Sequence, residues 1–196
     1  MDRRLAILNG FGRTLGDSII GLQALHAARA LGLLAREVVL FRLVMQSPVI
    51  EDVYALATGL AEIRELPWAD ATPDRPFAGA ADFAEILDMR DFAFDPAFHG
   101  VAMIDYFLRR LGVDPQTVPP AWRRNTWLAP LLPPPVPQGY VLLCPNTANP
   151  MRDMPDWVHA LAQRWLSQRG LEMRSQATLS PARTLPELCS LVGGAR

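Results

Sequence analysis

The sequence predicts an α/β fold whose first domain is Rossmann-like, and three observations lead to this prediction. Short apolar runs alternate with segments in which apolar residues recur at helical spacing. A glycine-rich turn at residues 10–16 joins the first apolar run to the first helical segment. A proline-rich stretch at residues 129–139 separates this region from a second strand and helix pair. Parallel strands need crossover helices that cover the faces of the sheet, and the alternation supplies them.

The first predicted domain covers residues 1–128. Its first helix has an apolar face that includes Ile19, Leu22 and Leu25. The second begins with Pro48, which is tolerated in a first turn because that turn needs no N–H donor, and the third stops at Gly112. The predicted strands cover residues 5–8, 37–43, 62–66 and 83–89, and the predicted helices cover residues 17–31, 48–60 and 99–111.

The second predicted domain, residues 140–196, follows a linker at residues 129–139. Proline donates no backbone hydrogen bond, so we expect this linker to be a semi-rigid spacer. After it come a predicted buried strand at 140–144, a helix at 155–169, a short apolar segment at 171–173 and a helix at about 185–192. A segment this short seldom buries enough surface to be stable alone. We therefore expect the second domain to be incomplete.

The composition narrows the classes of function. The 196 residues carry a formal net charge of -1, which gives no electrostatic reason to expect nucleic acid as a partner. All 19 basic residues are arginines, so the lysine of a P-loop, of a pyridoxal Schiff base or of a Tyr-x-x-x-Lys pair is excluded. The apolar run at residues 5–8 is too short for a signal peptide or a membrane span. We therefore expect a cytoplasmic protein.

Four segments, taken in order, carry a resemblance to a known family. The first strand leads through the glycine loop to Gly16-Asp17, and residues 83–88 form a later strand that ends in aspartate. Residues 104–113 form a helix that closes on Leu-Gly, and residues 140–155 give a strand and a loop with an arginine before Met-Pro. Together they resemble the ADP-heptose:lipopolysaccharide heptosyltransferases of glycosyltransferase family 9.

The resemblance implies a GT-B fold, in which two Rossmann-like domains face each other across a cleft, here truncated in its C-terminal domain. It also implies inverting transfer of a sugar, heptose from ADP-heptose, to a lipopolysaccharide core or a related glycan. The expected partners are thus a nucleotide sugar and a glycan acceptor, with peripheral proximity to a membrane, no nucleic acid, and an open oligomeric state. The nucleotide sugar is the donor substrate, and we expect no separate cofactor and no metal.

Asp17 is the candidate catalytic residue. An inverting transferase needs a carboxylate to take the proton of the attacking acceptor hydroxyl. Asp17 follows Gly16 at a strand-to-helix turn, where α/β folds place their ligands. The alternative is that Asp17 only caps or charges the first turn of its helix.

The candidate substrate-binding residues lie in two loops. In the first loop, Gly16 and Arg13 are expected near the acceptor, where Arg13 would hold an anionic group, although an ordinary exposed loop arginine is the commoner case. In the second, Arg152 is expected to grip the donor diphosphate beside a helix N-terminus, or else to be a solvated loop residue. Thr147 either donates its hydroxyl to the same phosphate or closes the turn.

Two departures keep other functions open. Met154 stands where the family usually has tryptophan, and the later Asp-Ser/Thr-Gly-x-x-His motif of the family is missing. One alternative is therefore an inactive, truncated relative that serves as a binding or interaction module. The other is an NADP-binding Rossmann module, because Gly10-x-Gly12-x-x-x-Gly16 resembles a dinucleotide fingerprint and Arg42 would meet the 2′-phosphate.

The cysteines and tryptophans are expected to be structural. Cys144 and Cys189 have no companion ligand at metal-binding spacing, so we predict that both are small core residues. Core packing and domain contacts are likewise expected to explain four tryptophans, with sugar stacking as the alternative: Trp122, Trp127, Trp157 and Trp165.

Overall fold

The computed structural model describes residues 4–44, 47–132, 134, 136–146, 150–175 and 184–195. The chain divides into two compact units, Met1–Leu131 and Leu132–Arg196. We call them the N-terminal unit and the C-terminal unit. The division falls inside the proline-rich stretch at residues 129–139.

A parallel sheet of four strands forms the centre of the N-terminal unit. Its strands are β1 (Leu5–Leu8), β2 (Val38–Arg42), β3 (Glu62–Glu65) and β4 (Glu85–Asp88). Their order in the sheet is β3-β2-β1-β4, and every neighbouring pair is parallel. All residues of β1 and β2 are buried, as their apolar sequences predict. The Rossmann-like α/β prediction is thus confirmed for this unit.

Six α-helices are present among the described residues. They are α1 (Leu15–Ala30), α2 (Pro48–Leu56), α3 (Pro96–His99), α4 (Met103–Arg110), α5 (Asp156–Ser167) and α6 (Leu185–Gly193). The helix predicted at residues 48–60 ends earlier, because its last part is a 3-10 turn at Ala57–Gly59.

The helix predicted at residues 99–111 is wrong in its first part. The Asp95 side chain accepts the Ala97 N–H and Pro96 occupies the first turn, which starts the separate one-turn helix α3. That helix ends at His99, and α4 starts only after its N-cap residue, Ala102. Helical spacing of apolar residues continued across this break and concealed it.

The two faces of the sheet are covered differently. One face carries the core cluster of Ala6, Leu8, Val39, Phe41, Leu66 and Phe77. It is covered by the segment between β3 and β4, which contains two 3-10 turns in place of a helix. On the other side α1 packs against α4, and the rings of Phe11 and Phe107 meet edge to face at 5.2 Å.

A buried glutamine fastens the last part of the N-terminal unit. Gln23 on α1 donates to the carbonyl oxygen of Trp122 at 2.7 Å and to Thr126 Oγ1 at 3.0 Å. Its side-chain oxygen accepts the N–H groups of Thr126 and Trp127 at 2.8 and 3.3 Å. Residues 122–127 therefore belong to the packed part of this unit.

The C-terminal unit contains a parallel pair of short strands, β5 (Val141–Leu143) and β6 (Met173–Ser175). The strand predicted at 140–144 is shorter than expected, and β5 is only half-buried. Tyr140 beside it is fully buried and bridges to Ala195. A capping box formed by Thr184 and Glu187 starts α6.

Several predictions of burial fail in the C-terminal unit. Cys144 is exposed and Cys189 is half-buried, so neither is a core residue. Trp157 and Trp165 of α5 are 70% and 50% exposed, whereas Trp127 in the N-terminal unit is buried as predicted. The helix face that was expected to pack is thus open.

Candidate functional site

The candidate site lies at the carboxyl ends of the strands in the N-terminal unit, the edge where open α/β sheets bind ligands. The chain leaves β1 in a tight loop at residues 9–14, in which Asn9, Gly10 and Gly12 have positive φ angles of 70°, 54° and 105°. A Cβ on Gly10 would lie 2.8 Å from the Tyr54 hydroxyl oxygen, and one on Gly12 would lie 2.8 Å from Phe92 Cε1. Glycine is therefore required at both positions by backbone conformation and by space.

The loop is fixed to the sheet from below. The Gly10 N–H donates to the carbonyl oxygen of Phe41 at 2.8 Å. Asn9 Nδ2 donates to the carbonyl oxygen of Met89 at 3.3 Å, and the side chain of Asn9 is buried. These contacts link the ends of β1, β2 and β4, so the loop is part of the packed scaffold.

Thr14 determines where α1 begins. Its side chain accepts the Asp17 N–H at 3.3 Å, which makes Thr14 the N-cap and places Leu15 and Gly16 in the first helical turn. The prediction that Gly16 belongs to a glycine-rich turn is therefore wrong. Gly16 is exposed, and a Cβ added there would meet no other atom within 4 Å.

Asp17 lies in the first turn of α1 but is not its cap. The carboxyl group is half-buried, and this burial raises its pKa above the ordinary value, while a hydrogen bond with Thr14 acts in the opposite direction. A carboxylate at a helix N-terminus is usually stabilised in its charged form. Here desolvation outweighs that effect, so Asp17 holds a proton more tightly than an exposed aspartate does.

Arg13 and Trp68 form the exposed rim of the site. Arg13 follows β1 and Trp68 follows β3, and the guanidinium carbon of Arg13 lies 5.8 Å from the centre of the Trp68 ring. Arg13 is exposed, and Trp68 is 66% exposed, which is unusual for so large an apolar ring. This rim offers one cation and one aromatic face to a ligand.

A buried polar cluster that the sequence reasoning missed lies behind the loop. Arg42, the last residue of β2, makes two hydrogen bonds of 2.8 and 2.6 Å to the carboxylate of Glu51. Its guanidinium carbon lies 4.3 Å from the centre of the Tyr54 ring. The Tyr54 hydroxyl donates to Ser18 Oγ at 3.3 Å. The sequence contained one signal for this cluster, which is that an apolar strand ends in an arginine. A buried charge at that position needs a partner.

The same cluster bears on the NADP alternative. That hypothesis needs Arg42 at the surface, free to bind a phosphate. The Arg42 side chain is only 7% exposed, and its guanidinium is already paired with Glu51. Gly16, the last glycine of the proposed fingerprint, is part of α1. Neither feature fits a dinucleotide site.

A second carboxylate, Asp88 at the end of β4, has a contrasting environment. Arg90 binds both of its oxygens at 2.6 to 3.1 Å, and the Arg90 side chain is 4% exposed. Burial acts to raise the pKa of Asp88, but the hydrogen bonds and charge of Arg90 outweigh it and lower the pKa. Arg90 also donates to the carbonyl oxygens of Asp70 and Arg75 at 2.9 Å. Asp88 is thus an anchor for the chain between β3 and β4.

The donor-side residues lie in the C-terminal unit. Thr147 lies outside the described residues. The backbone of Arg152 ends the 3-10 turn Pro150–Arg152, shortly before α5. The sequence-predicted residues that the structure brings into one site are therefore Arg13, Gly16 and Asp17.

Within the part of the chain that the structure describes, no cluster of three or more His, Cys, Asp or Glu side chains is arranged to hold a metal ion. Over the same residues, every helix is too short or too polar to cross a membrane.

Comparison with known proteins finds no relative of this chain. The chain matches no protein-family profile, no curated protein and no solved structure. Function must therefore be argued from the site itself.

Proposed function

We propose that this chain is a glycosyltransferase-like protein of GT-B type, which transfers a sugar with inversion to a lipopolysaccharide core or a related glycan. Heptose from ADP-heptose is the donor that the family resemblance favours. The observation that supports the proposal most directly is Asp17, a half-buried carboxylate with a raised pKa at the ligand-binding edge of the sheet.

In this proposal Asp17 is the general base. It takes the proton of the acceptor hydroxyl while that oxygen forms a bond to the anomeric carbon of the donor. The bond from the anomeric carbon to the nucleotide diphosphate breaks, and the diphosphate leaves with the electron pair. A raised pKa makes the carboxylate a stronger base, and a base is most efficient when its pKa approaches the working pH.

The surroundings of Asp17 suit an acceptor. Gly16 is exposed and has no side chain, so a ligand can approach the first turn of α1 closely. Arg13 and Trp68 add a cation and an exposed ring at the same edge of the sheet. Sugars combine hydroxyl groups with an apolar ring face, which such a pair can bind. On the donor side, Thr147 and Arg152 are proposed to bind the diphosphate.

The first experiment is a calorimetric titration of the purified chain with ADP, ADP-heptose and NADP, followed by a turnover assay. We expect the two ADP ligands to bind and NADP not to bind. We expect Asp17→Asn to bind ADP-heptose as the wild type does and to lose turnover by about 100- to 10,000-fold, the usual contribution of a general base.

Asp82→Asn is the matched control. Asp82 is an exposed aspartate of the N-terminal unit in a 3-10 turn before β4, at the opposite edge of the sheet. The control should keep full turnover. An undiminished rate in Asp17→Asn would remove Asp17 as the base, and a folded chain that binds neither ADP ligand would remove the glycosyltransferase proposal.

A second candidate function, a binding or interaction module without turnover, is favoured by one observation. Helix α5 carries an open apolar stripe in which Trp157, Leu161 and Trp165 are 70%, 51% and 50% exposed. Exposed apolar patches commonly mark interaction surfaces. Wild-type protein that binds ADP-heptose but shows no turnover with any glycan acceptor would favour this candidate.

A further inference from the structure

Tyr54 is a buried residue of α2 whose hydroxyl reaches the underside of the loop at residues 9–14. Its side chain is 2% exposed. The hydroxyl donates to Ser18 Oγ at 3.3 Å and accepts the Phe11 N–H in a long hydrogen bond of 3.5 Å. The same oxygen lies 2.8 Å from the position that a Cβ on Gly10 would take. Tyr54 therefore contacts the loop and α1 through one atom.

The position of this hydroxyl is fixed from behind. The guanidinium of Arg42 stacks on the Tyr54 ring at 4.3 Å, and Glu51 holds that guanidinium by two hydrogen bonds. Burial raises the pKa of Tyr54, so its hydroxyl keeps its proton and donates at neutral pH. A buried hydroxyl without partners is costly, which makes both of its hydrogen bonds structurally important.

The contacts continue from Tyr54 to Asp17. Ser18 Oγ donates to the carbonyl oxygen of Thr14 at 2.8 Å, and the Thr14 hydroxyl accepts the Asp17 N–H at 3.3 Å. Gly12, in the middle of the loop, packs directly on Asp17, since a Cβ on Gly12 would lie 3.2 Å from Asp17 Cβ. The loop is thus one of the surfaces that shield Asp17 from water.

We propose that Tyr54 is a positioning residue for Asp17, because its hydroxyl holds the loop at residues 9–14 in the conformation that covers the Asp17 side chain. This inference rests on the proposed function only in giving Asp17 a catalytic task. The charged groups that act on the Tyr54 hydroxyl are Arg42 from β2 and Asp17 from α1. Tyr54 itself touches no substrate in this proposal.

The test is the variant Tyr54→Phe, which removes the hydroxyl and keeps the ring. In the free protein, the Asp17 carboxyl carbon is titrated by NMR, and amide hydrogen exchange is measured at Phe11. We expect the pKa of Asp17 to fall towards its ordinary value, because a looser loop admits water. We also expect the Phe11 amide to exchange about tenfold faster, as the loss of one hydrogen bond would produce.

Tyr140→Phe is the matched control. Tyr140 is a fully buried tyrosine of the C-terminal unit whose hydroxyl donates to the Leu191 carbonyl oxygen, and the guanidinium of Arg174 lies over its ring at 4.0 Å. The control loses an equivalent hydroxyl and should leave the Asp17 titration unchanged. A role in global stability alone would not move that titration in either variant.

Ser18→Ala provides a second variant, which decides the question should Tyr54→Phe not fold. It removes the acceptor of the Tyr54 hydroxyl and should shift the pKa of Asp17 in the same direction by a smaller amount. An unchanged Asp17 titration in the folded variant would overturn the inference. The titration uses the free protein without donor or acceptor sugar, so its result is independent of the turnover test of the proposed function.

Discussion

Each unit contains an arginine that stacks on a tyrosine ring and pairs with a glutamate, but the two clusters differ in burial. In the N-terminal unit Arg42 lies 4.3 Å from the Tyr54 ring centre, and the side chains of Arg42 and Glu51 are 7% and 37% exposed. In the C-terminal unit Arg174 lies 4.0 Å from the Tyr140 ring centre, and Arg174 and Glu172 are 34% and 58% exposed. The interactions are alike, so burial must decide how much each one stabilises.

The same difference extends to the apolar side chains. In the N-terminal unit β1 and β2 are buried throughout their length. In the C-terminal unit β5 is half-buried, and α5 exposes its Trp157, Leu161 and Trp165 stripe. Burial of apolar surface is the main favourable term in folding. The N-terminal unit should therefore supply most of the stability of the chain.

The largest expected effect compares one leucine from each unit. Leu8 in β1 is 1% exposed within the core cluster, and Leu161 in α5 is 51% exposed. We expect Leu8→Ala to lower the free energy of unfolding by about 3 kcal/mol, because it leaves a cavity in a packed core. Leu161→Ala should change it by less than about 0.5 kcal/mol.

Urea denaturation followed by circular dichroism measures both leucine variants. Similar losses in the two variants would show that the α5 stripe is covered in solution, and the contrast between the units would then be wrong.

The next effect compares the two ion pairs. Glu51→Gln leaves the buried Arg42 guanidinium with a neutral partner, and we expect the free energy of unfolding to fall by roughly 1–2 kcal/mol. This loss is smaller than that for a fully buried pair, because Glu51 is partly exposed. Glu172→Gln should have no measurable effect, since exposed ion pairs contribute little. Thermal unfolding of the two variants at low and at high salt measures both effects, and the loss in Glu51→Gln should persist at high salt because the Arg42 guanidinium is buried.

The sequence predicted the sheet better than the site. The predicted bounds of β1 to β4 agree with the structure within two residues at either end. Burial explains this for β1 and β2, because buried parallel strands are nearly continuous apolar segments, whereas β3 is largely exposed and has the sequence Glu-Ile-Arg-Glu. The predicted start of α1 was two residues too late, because the Thr14 side chain caps the helix. Several neighbouring polar side chains could also bond to the backbone, and the sequence alone does not show which of them forms the cap.

The Tyr54 cluster could not be predicted because it joins residues from three elements whose approach only the fold defines. Local spacing shows that Arg42 and Glu51 are nine residues apart, but not that the end of β2 and the start of α2 bring the two side chains together. Predictions for Cys144, Trp157 and Trp165 failed for a different reason. Residue type indicates burial only where a unit is large enough to bury its apolar residues.

The smallest effect concerns acid stability and tests the pair that the partly exposed Asp88 forms with the buried Arg90. Because the pKa of Asp88 is lowered in the folded state, its contribution to stability is present above its ordinary value of 3.8 and is lost as the pH falls through the lower folded value. Asp88→Asn should therefore be less stable than the wild type at pH 7, and the difference should shrink as the pH falls below about 3.8.

The pKa of Asp17 is shifted in the opposite direction from that of Asp88, which makes Asp17→Asn the control for the acid series. Its raised pKa means that ionisation disfavours the folded state, so stability is highest below the ordinary pKa and falls as the pH rises through the folded value. Asp17→Asn should be slightly more stable than the wild type at pH 7 and equal to it in acid. Parallel urea series at pH 7 and pH 3 measure both variants. If both substitutions changed the free energy of unfolding in the same direction at pH 7, the two carboxylates would have similar environments. The raised pKa would then no longer support Asp17 as the base.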